Sequence, residues 1–281
     1  MNRRRAFQTL LATTVGGVLV SGLVYARKVE PNRVEVRRCS LSLPRLGRPF
    51  EGYRIVQISD LHADRQMTPG RLLELVGLVN SEAPDLIVIT GDFATHSPFF
   101  SLVDHAAKLA APLRRLRSPD GTFAVLGNHD HKTDAGLVRN LLSSGDVTEL
   151  RNAVRTLKRN GASLHLCGID SALEGKDRLE RVLDGLPREE AAILLAHEPD
   201  FADTSAATGR FCLQLSGHSH GGQARLPLLT PFLLPPLSRK YPGGLYCVGV
   251  MLLYTNRGLG AHPNLRFNCR PEITVFTLQA E

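Results

Sequence analysis

From Tyr53 onward, short apolar runs alternate with stretches whose apolar residues recur at helical spacing. Residues 53–59 and 86–90 are compact, rich in β-branched side chains and followed by polar ones, which predicts buried strands. Between them Leu72, Leu73, Leu75, Val76, Leu78 and Val79 repeat with a helical period behind Thr68 and Pro69, an N-cap followed by proline at the first helical position. Together these three segments predict a βαβ unit. Further helices are predicted near 102–116 and 135–143, and further strands at 122–126, 163–168, 192–196, 212–215, 245–254 and 273–278. The first half therefore reads as α/β and the second leans toward β, which a layered α/β domain with sheet inside and helices outside accommodates. Residues 29–49, with Pro31, Pro44 and Pro49, read as a connector carrying an edge strand at 34–39, and the domain proper is expected over residues 50–281.

The N-terminal residues follow another pattern. Arg3, Arg4 and Arg5 precede an uncharged stretch over residues 6–26, closed by Arg27 and Lys28. As a helix this stretch reaches about 31 Å, close to the hydrocarbon thickness of a bilayer. Gly16, Gly17, Ser21, Gly22 and three Thr keep it only mildly apolar, as in an export signal. Arg4, Arg5 and Phe7 resemble the twin-arginine signal, so residues 1–28 are read as a cleaved signal or a retained membrane anchor in a bacterial cell envelope, facing the periplasm or exterior.

Charge distribution supports that division. Of the net +7, residues 1–38 hold eight Arg or Lys against two Glu, whereas the remaining 243 residues carry 26 basic and 25 acidic groups. A duplex-binding domain shows a basic stripe on its folded part, so no nucleic-acid partner is expected. Five widely spaced Cys without a C-x-x-C pair exclude a zinc ribbon, and an odd count leaves a free thiol.

Candidate chemistry sits where strands end, the place where open α/β sheets bind ligands. The predicted strands are followed in turn by Asp60 and His62, by Gly91 and Asp92, by Gly127, Asn128, His129 and Asp130, by His197, and by Gly217, His218, Ser219 and His220. Any one fragment is explicable as a turn or a structural histidine. Together they gather five of the ten His behind five apolar runs. Carboxylate, amide and imidazole donors in this mixture suit Mn, with Fe or Zn as alternatives, better than Cu(I) or Ca. Seven donors exceed one tetrahedral ion and suit two divalent metal ions bridged by Asp92. The G-x-S-x-G elbow, H-E-x-x-H, P-loop and Rossmann fingerprints are absent.

The order D-x-H, G-D, G-N-H-D, H, G-H-x-H across Asp60 to His220 resembles the calcineurin-like metallophosphoesterase superfamily. The resemblance implies a layered sandwich of two packed mixed β-sheets flanked by helices. It further implies one metal on Asp60, His62, Asp92 and His220, a second on Asp92, Asn128, His197 and His218, and His129 as the catalytic histidine. Residues 216–223, 256–260 and 270–273 are similar to bacterial membrane-associated phosphoesterases, some of which hydrolyse the pyrophosphate of UDP-2,3-diacylglucosamine in lipid A biosynthesis. The implied function is hydrolysis of a phosphodiester or pyrophosphate bond by hydroxide bridging two metals, with a catalytically idle metal-binding scaffold as the alternative. Arg257, whose planar fork suits phosphate, is expected to bind substrate. Many superfamily members carry an Asp three residues after the Gly-Asp carboxylate to orient the catalytic His. Here Thr95 stands at that position, leaving Asp64 or Asp130 to substitute. The apolar, proline-rich residues 226–237 could seat an acyl chain or meet a membrane surface, or pack as a lid on the core.

Overall fold

The computed structural model describes residues 3–64, 66–96, 108–225, 234–261, 263 and 265–281. Among the described residues twelve strands form two six-stranded sheets. The first runs β1(Glu35–Leu43), β12(Glu272–Ala280), β2(Arg54–Ile58), β3(Leu86–Ile89), β4(Thr122–Ala124), β5(Thr148–Glu149) in spatial order. The second runs β10(Gly244–Val248), β11(Met251–Thr255), β9(Leu213–Ser216), β8(Ala191–Leu195), β7(Ala162–Gly168), β6(Ala153–Arg159). Both are mixed: β2 to β5 are parallel, as are β7, β8, β9 and β11, while β12 against β2 and the β6–β7 and β10–β11 pairs are antiparallel.

Alternation along the strands explains the layering. On β3, Leu86 and Val88 join a core with Ile193, Leu195, Leu213 and Leu215 of the other sheet, so this apolar set lies between the sheets. Ile87 and Ile89 face the opposite way, onto Leu72, Leu75, Val76 and Val79 of α2(Pro69–Ser81). On β8, Ala192 and Leu194 likewise face Leu179 and Val182 of α5(Leu179–Asp184) and Ala202 of α6(Ala202–Ala207). Strands buried on both faces read as unbroken apolar runs, which is why they were legible. Gln57 breaks the apolar face of β2. Its amide donates to Thr90 Oγ1 at 3.0 Å and across the sandwich to the Ser216 carbonyl at 2.9 Å, tying the two sheets together at the ends that carry the polar residues.

Several expected boundaries change. The predicted connector contains a nine-residue strand, β1, parallel to β12 from Glu35↔Glu272 to Leu43↔Ala280. The run at 245–254 is a hairpin, turned at Gly249 (φ 60). An unpredicted strand, β6, joins β7 through Asn160 (φ 46) and Gly161 (φ 83), the Asn-Gly pair favoured in type I′ turns. Of the helix expected at 102–116, the described part is α3(Ala110–Leu113), and residues 102–107 lie outside the described residues. The helix expected at 135–143 is the second part of α4(Asn128–Ser144), whose backbone kinks at Asp134. The Asp134 carboxylate then caps the new turn, accepting from Gly136 and Leu137 N–H.

Residues Arg3–Val24 form α1, whose described apolar side chains, including Phe7, Val18 and Leu19, are exposed. Among the described residues no helix is long and apolar enough to cross a membrane. The root of α1 is nevertheless bound to the domain. Buried Glu30 accepts the Cys269 N–H, and the Ala26 carbonyl accepts the Arg266 N–H at 2.9 Å. Arg266, wholly buried, donates in turn to the carbonyls of Arg257, Gly258, Gly260 and Cys269.

A second buried knot fixes α4. Asp170, just past β7, meets His131 Nε2 at 2.5 Å, Arg151 Nε at 3.2 Å and Arg139 at 3.6 Å. Burial pushes this carboxyl up, but the His131 hydrogen bond and charge, with the Ser171 N–H and Arg139, more than offset it and hold it below its ordinary value. Its stabilising contribution is thus complete above about pH 4 and is lost as pH falls through the lowered value. Asp170→Ala is expected to cost about 1–3 kcal/mol at pH 7, because it removes the hydrogen bonds that His131, Arg151 and the Ser171 N–H make to a buried carboxylate. Urea titrations of parent and variant should show that gap narrowing below about pH 4.

Candidate metal centre

Each sheet delivers its polar residues at the same end of its parallel strands. Asp60 and His62 follow β2, Asp92 follows β3, and Asn128 and His129 open α4 just after β4. From the second sheet His197 follows β8, and His218 and His220 follow β9. Ligating atoms of Asp60, His62 and His220 lie within 4.8 Å of one another, as do those of Asp92, His197 and His218. Asp92 Oδ2 stands 3.2 Å from His197 Nε2 and 3.6 Å from His62 Nε2, so it touches both triads. His62 and His220 face each other through their Nε2 atoms at 3.0 Å, a contact that a shared proton or cation relieves.

The local backbone is unusual. Asp60, His62, Asp92, His218 and His220 all have φ between 49° and 70°, the left-handed region that costs non-glycine residues about 1–3 kcal/mol each. Asp and His tolerate it better than most side chains. Close approach explains two glycines. A Cβ at Gly127 would strike the Asp92 carboxylate and His197 Nε2, and one at Gly217 would strike Ser59 Oγ and the Asp60 carboxylate.

Backbone donors orient the carboxylates. Asp60 accepts the His218 N–H at 3.1 and 3.2 Å, and Asp92 accepts the His129 N–H at 2.9 Å. The carbonyl of Thr90 accepts from His197 Nδ1 at 2.6 Å, so that when this ring is neutral its proton sits there and Nε2 keeps a lone pair pointing at the centre. Burial pushes the Asp60 carboxyl up to about 7, partly offset by His197. Asp92 is also buried, yet the neighbouring imidazoles, led by His197 and His129, hold it well below the usual range. Burial lowers His218 and, far more, His220, with His197 and His62 respectively adding repulsion.

These features fit a pair of divalent cations. His197 Nε2 and Asn128 Oδ1 are buried and make no hydrogen bond, and both belong to the expected donor set. All seven expected donors lie in this one region, and the set mixes carboxylate, amide and imidazole as borderline divalent ions prefer.

His129 lines the same cleft, a cavity of about 700 Å³. Neither proposed carboxylate orients it through Nδ1: the His96 N–H donates to that atom at 3.1 Å. Asp130 instead accepts three amides, from Asp92, Ala94 and Gly127, with burial and the Asp92 charge pushing it up to about 7. Asp64 caps Gln66 and Met67 N–H. Arg257 is not among the residues that line this cleft. Its guanidinium is held by Glu272 and by Glu35 at 3.0 Å, and it lines a different depression beside Tyr25 and Arg270. The fork that suits phosphate is already engaged by carboxylates.

Residues 53–222 match the family described as calcineurin-like phosphoesterase, and the chain belongs to it. It is 35% identical to the uncharacterized metallophosphoesterase YkuE of Bacillus subtilis, covering 100% of this chain and 98% of that protein. Identity to the phosphodiesterase YaeI of Escherichia coli K12 is 30%, over 99% of both chains. The UDP-2,3-diacylglucosamine pyrophosphatase LpxG of Chlamydia trachomatis is 27% identical, over 95% of this chain and 96% of its own. Such a protein is a metal-dependent hydrolase of phosphoric esters, with two candidate sites suggesting a dinuclear divalent centre.

A metal that binds only the folded state raises stability by mass action, about 2.7 kcal/mol at a hundredfold excess over Kd. Adding Mn²⁺ to chelator-stripped protein should therefore raise Tm in a scanning experiment, and Gly217→Ala should abolish that rise. An identical rise in parent and variant would show that ions bind elsewhere.

Proposed function

We propose that the chain hydrolyses a phosphodiester or pyrophosphate bond, and that its substrate is lipid-linked, of the kind represented by UDP-2,3-diacylglucosamine. The observation that carries the hydrolytic reading is Asp92 Oδ2 in reach of two His-carboxylate triads at the floor of one cleft. Asp60, His62, Asp92 and His220 would hold one ion, and Asp92, Asn128, His197 and His218 the other. Manganese is the metal we favour from the donor set, with iron or zinc as alternatives. When bound, divalent ions lower the pKa of water into the neutral range and offset charge on phosphoryl oxygens.

The chain's own residues position and protonate. Thr90 and Pro236 carbonyls fix the ring orientations of His197 and His218. The His96 amide at Nδ1 makes His129 carry its proton on Nε2 when neutral, and that proton is presented to the departing oxygen as the ester bond breaks. Water supplies the new P–O bond, so no side chain is consumed.

The lipid reading draws support from three features. One cleft wall is apolar, built from Leu173, Ala224, Pro235, Pro236 and Leu265. Residues 226–233 of the proline-rich segment lie outside the described residues, but its end reaches that wall. LpxG, named for a diacylated substrate, is similar along nearly the whole chain. The exposed apolar side chains of α1 suit association with a membrane in a bacterial envelope.

Purified protein should hydrolyse bis(4-nitrophenyl) phosphate only with added divalent metal. His129→Ala should keep its metal by elemental analysis yet lose about 10²–10⁴-fold in turnover of esters with poor leaving groups. Asp92→Ala should lose metal and activity together, and equal metal content and rates in all three proteins would refute the assignment. In a vesicle-flotation assay the full chain should float with anionic liposomes and a chain lacking residues 1–24 should not. Flotation of both would place the lipid contact outside α1.

A further inference from the structure

The cleft has a charged rim that this chemistry does not use. Lys132 follows Asn128 by one helical turn in α4, so it leaves the same face of the helix, and it lines the cleft with Asn128 and His129. Its Nζ pairs with Glu174 Oε1 at 3.5 Å. Lys132 is 43% exposed and Glu174 24%, so the pair is loose, screened and worth no more than about 1 kcal/mol. What holds Glu174 near it is firmer. The turn before Glu174 is fastened to wholly buried Glu198, whose carboxylate accepts from Ser171 Oγ at 2.5 Å, Ala172 N–H at 3.1 Å and Leu173 N–H at 3.2 Å. A weak ion pair is thus set between two well-anchored elements at the mouth of a site for phosphoric esters.

We propose that Lys132 is a specificity-determining residue that binds a second anionic group, a phosphoryl attached to the scissile one, and that Glu174 is the internal counter-ion it leaves on binding. This rests on the phosphoesterase reading and selects within it. Lys132 stands about 6 Å along the helix from Asn128, and its four-carbon stem makes Nζ a mobile point charge that can close the remaining gap. A simple diester places its one charge at the floor of the cleft and offers Nζ nothing to exchange for Glu174. A diphosphate diester carries another charge toward the rim, where Nζ trades a distant carboxylate for phosphoryl oxygens. Hydrolysis then consumes one water, breaks the P–O–P bridge and releases two phosphomonoesters.

The test is a matched pair that differs by one phosphoryl group, bis(4-nitrophenyl) phosphate and bis(4-nitrophenyl) diphosphate, assayed on the metal-loaded full chain. Lys132→Ala should lower kcat/KM for the diphosphate about tenfold more than for the monophosphate diester, chiefly through KM, the size of one charge-assisted hydrogen bond. Lys132→Arg should restore most of that selectivity, and Glu174→Gln should increase it. Calorimetric Kd values for the methylene-bridged analogue of the diphosphate, which cannot turn over, should follow the same order. Equal losses on both substrates, an unchanged Kd in Lys132→Ala, or a parent that cleaves only the monophosphate diester would overturn the inference while leaving the phosphoesterase reading intact. A parent that cleaves neither substrate with any divalent metal removes both.

Discussion

Two carboxylates buried side by side are the constraint around which this molecule is arranged. Asp60 and Asp92 have essentially no exposed surface, and an unanswered buried anion costs several kcal/mol. Answering them takes amide donors from the next strand end, imidazoles from the opposite sheet, and the charge of a cation pair. That demand dictates the rest. Both sheets must present parallel strand ends in one plane, Gln57 must lash β2 to β9, and glycines must stand wherever the carboxylates press against backbone. The left-handed conformations of five of the seven donors show how much local strain the surrounding fold sustains.

The cleft above those carboxylates is asymmetric in a way that organises recognition. Its floor is ionic, and Asp60, Asp92, His197 and His218 are each held there by a hydrogen bond to the backbone. One wall is apolar and rich in proline, while the rim carries a weak pair of opposite charges. On the reading proposed above, affinity for the reacting group rests on strand ends and on Asn128 at the start of α4, and choice among its substituents on Lys132 one turn further along and on the turn that Glu198 anchors.

How much of this was legible follows from which signals are local. Strands buried on both faces announce themselves as continuous apolar runs, and ligand-type side chains directly behind such runs are meaningful because parallel sheets gather at that end. The β6–β7 hairpin carried a plain local signal, Asn160 and Gly161, that the apolar pattern of half-exposed β6 failed to highlight. Gly249 likewise marked a turn inside what looked like one long strand. Strand β1 pairs with β12, more than two hundred residues away, and nothing within its own sequence encodes that partner. The motif order marked His129 as a candidate, but not its contact with the His96 amide, since backbone donors are anonymous in a sequence. A planar fork such as that of Arg257 serves carboxylates as well as phosphates, and only the fold places Glu35 and Glu272 beside it.

The embedded root of α1 has a mechanical meaning. Ala26 and Glu30 are bonded to the segment at Arg266 and Cys269, Arg266 braces the carbonyls of Gly258 and Gly260, and Gly260 donates its amide to the carbonyl of Asp60. The helix therefore meets the globular body as a lever set in its socket, without a slack hinge. Torque on that lever, from whatever grips its greasy surface, has a path of three short links to the main chain of a residue at the very heart of the molecule.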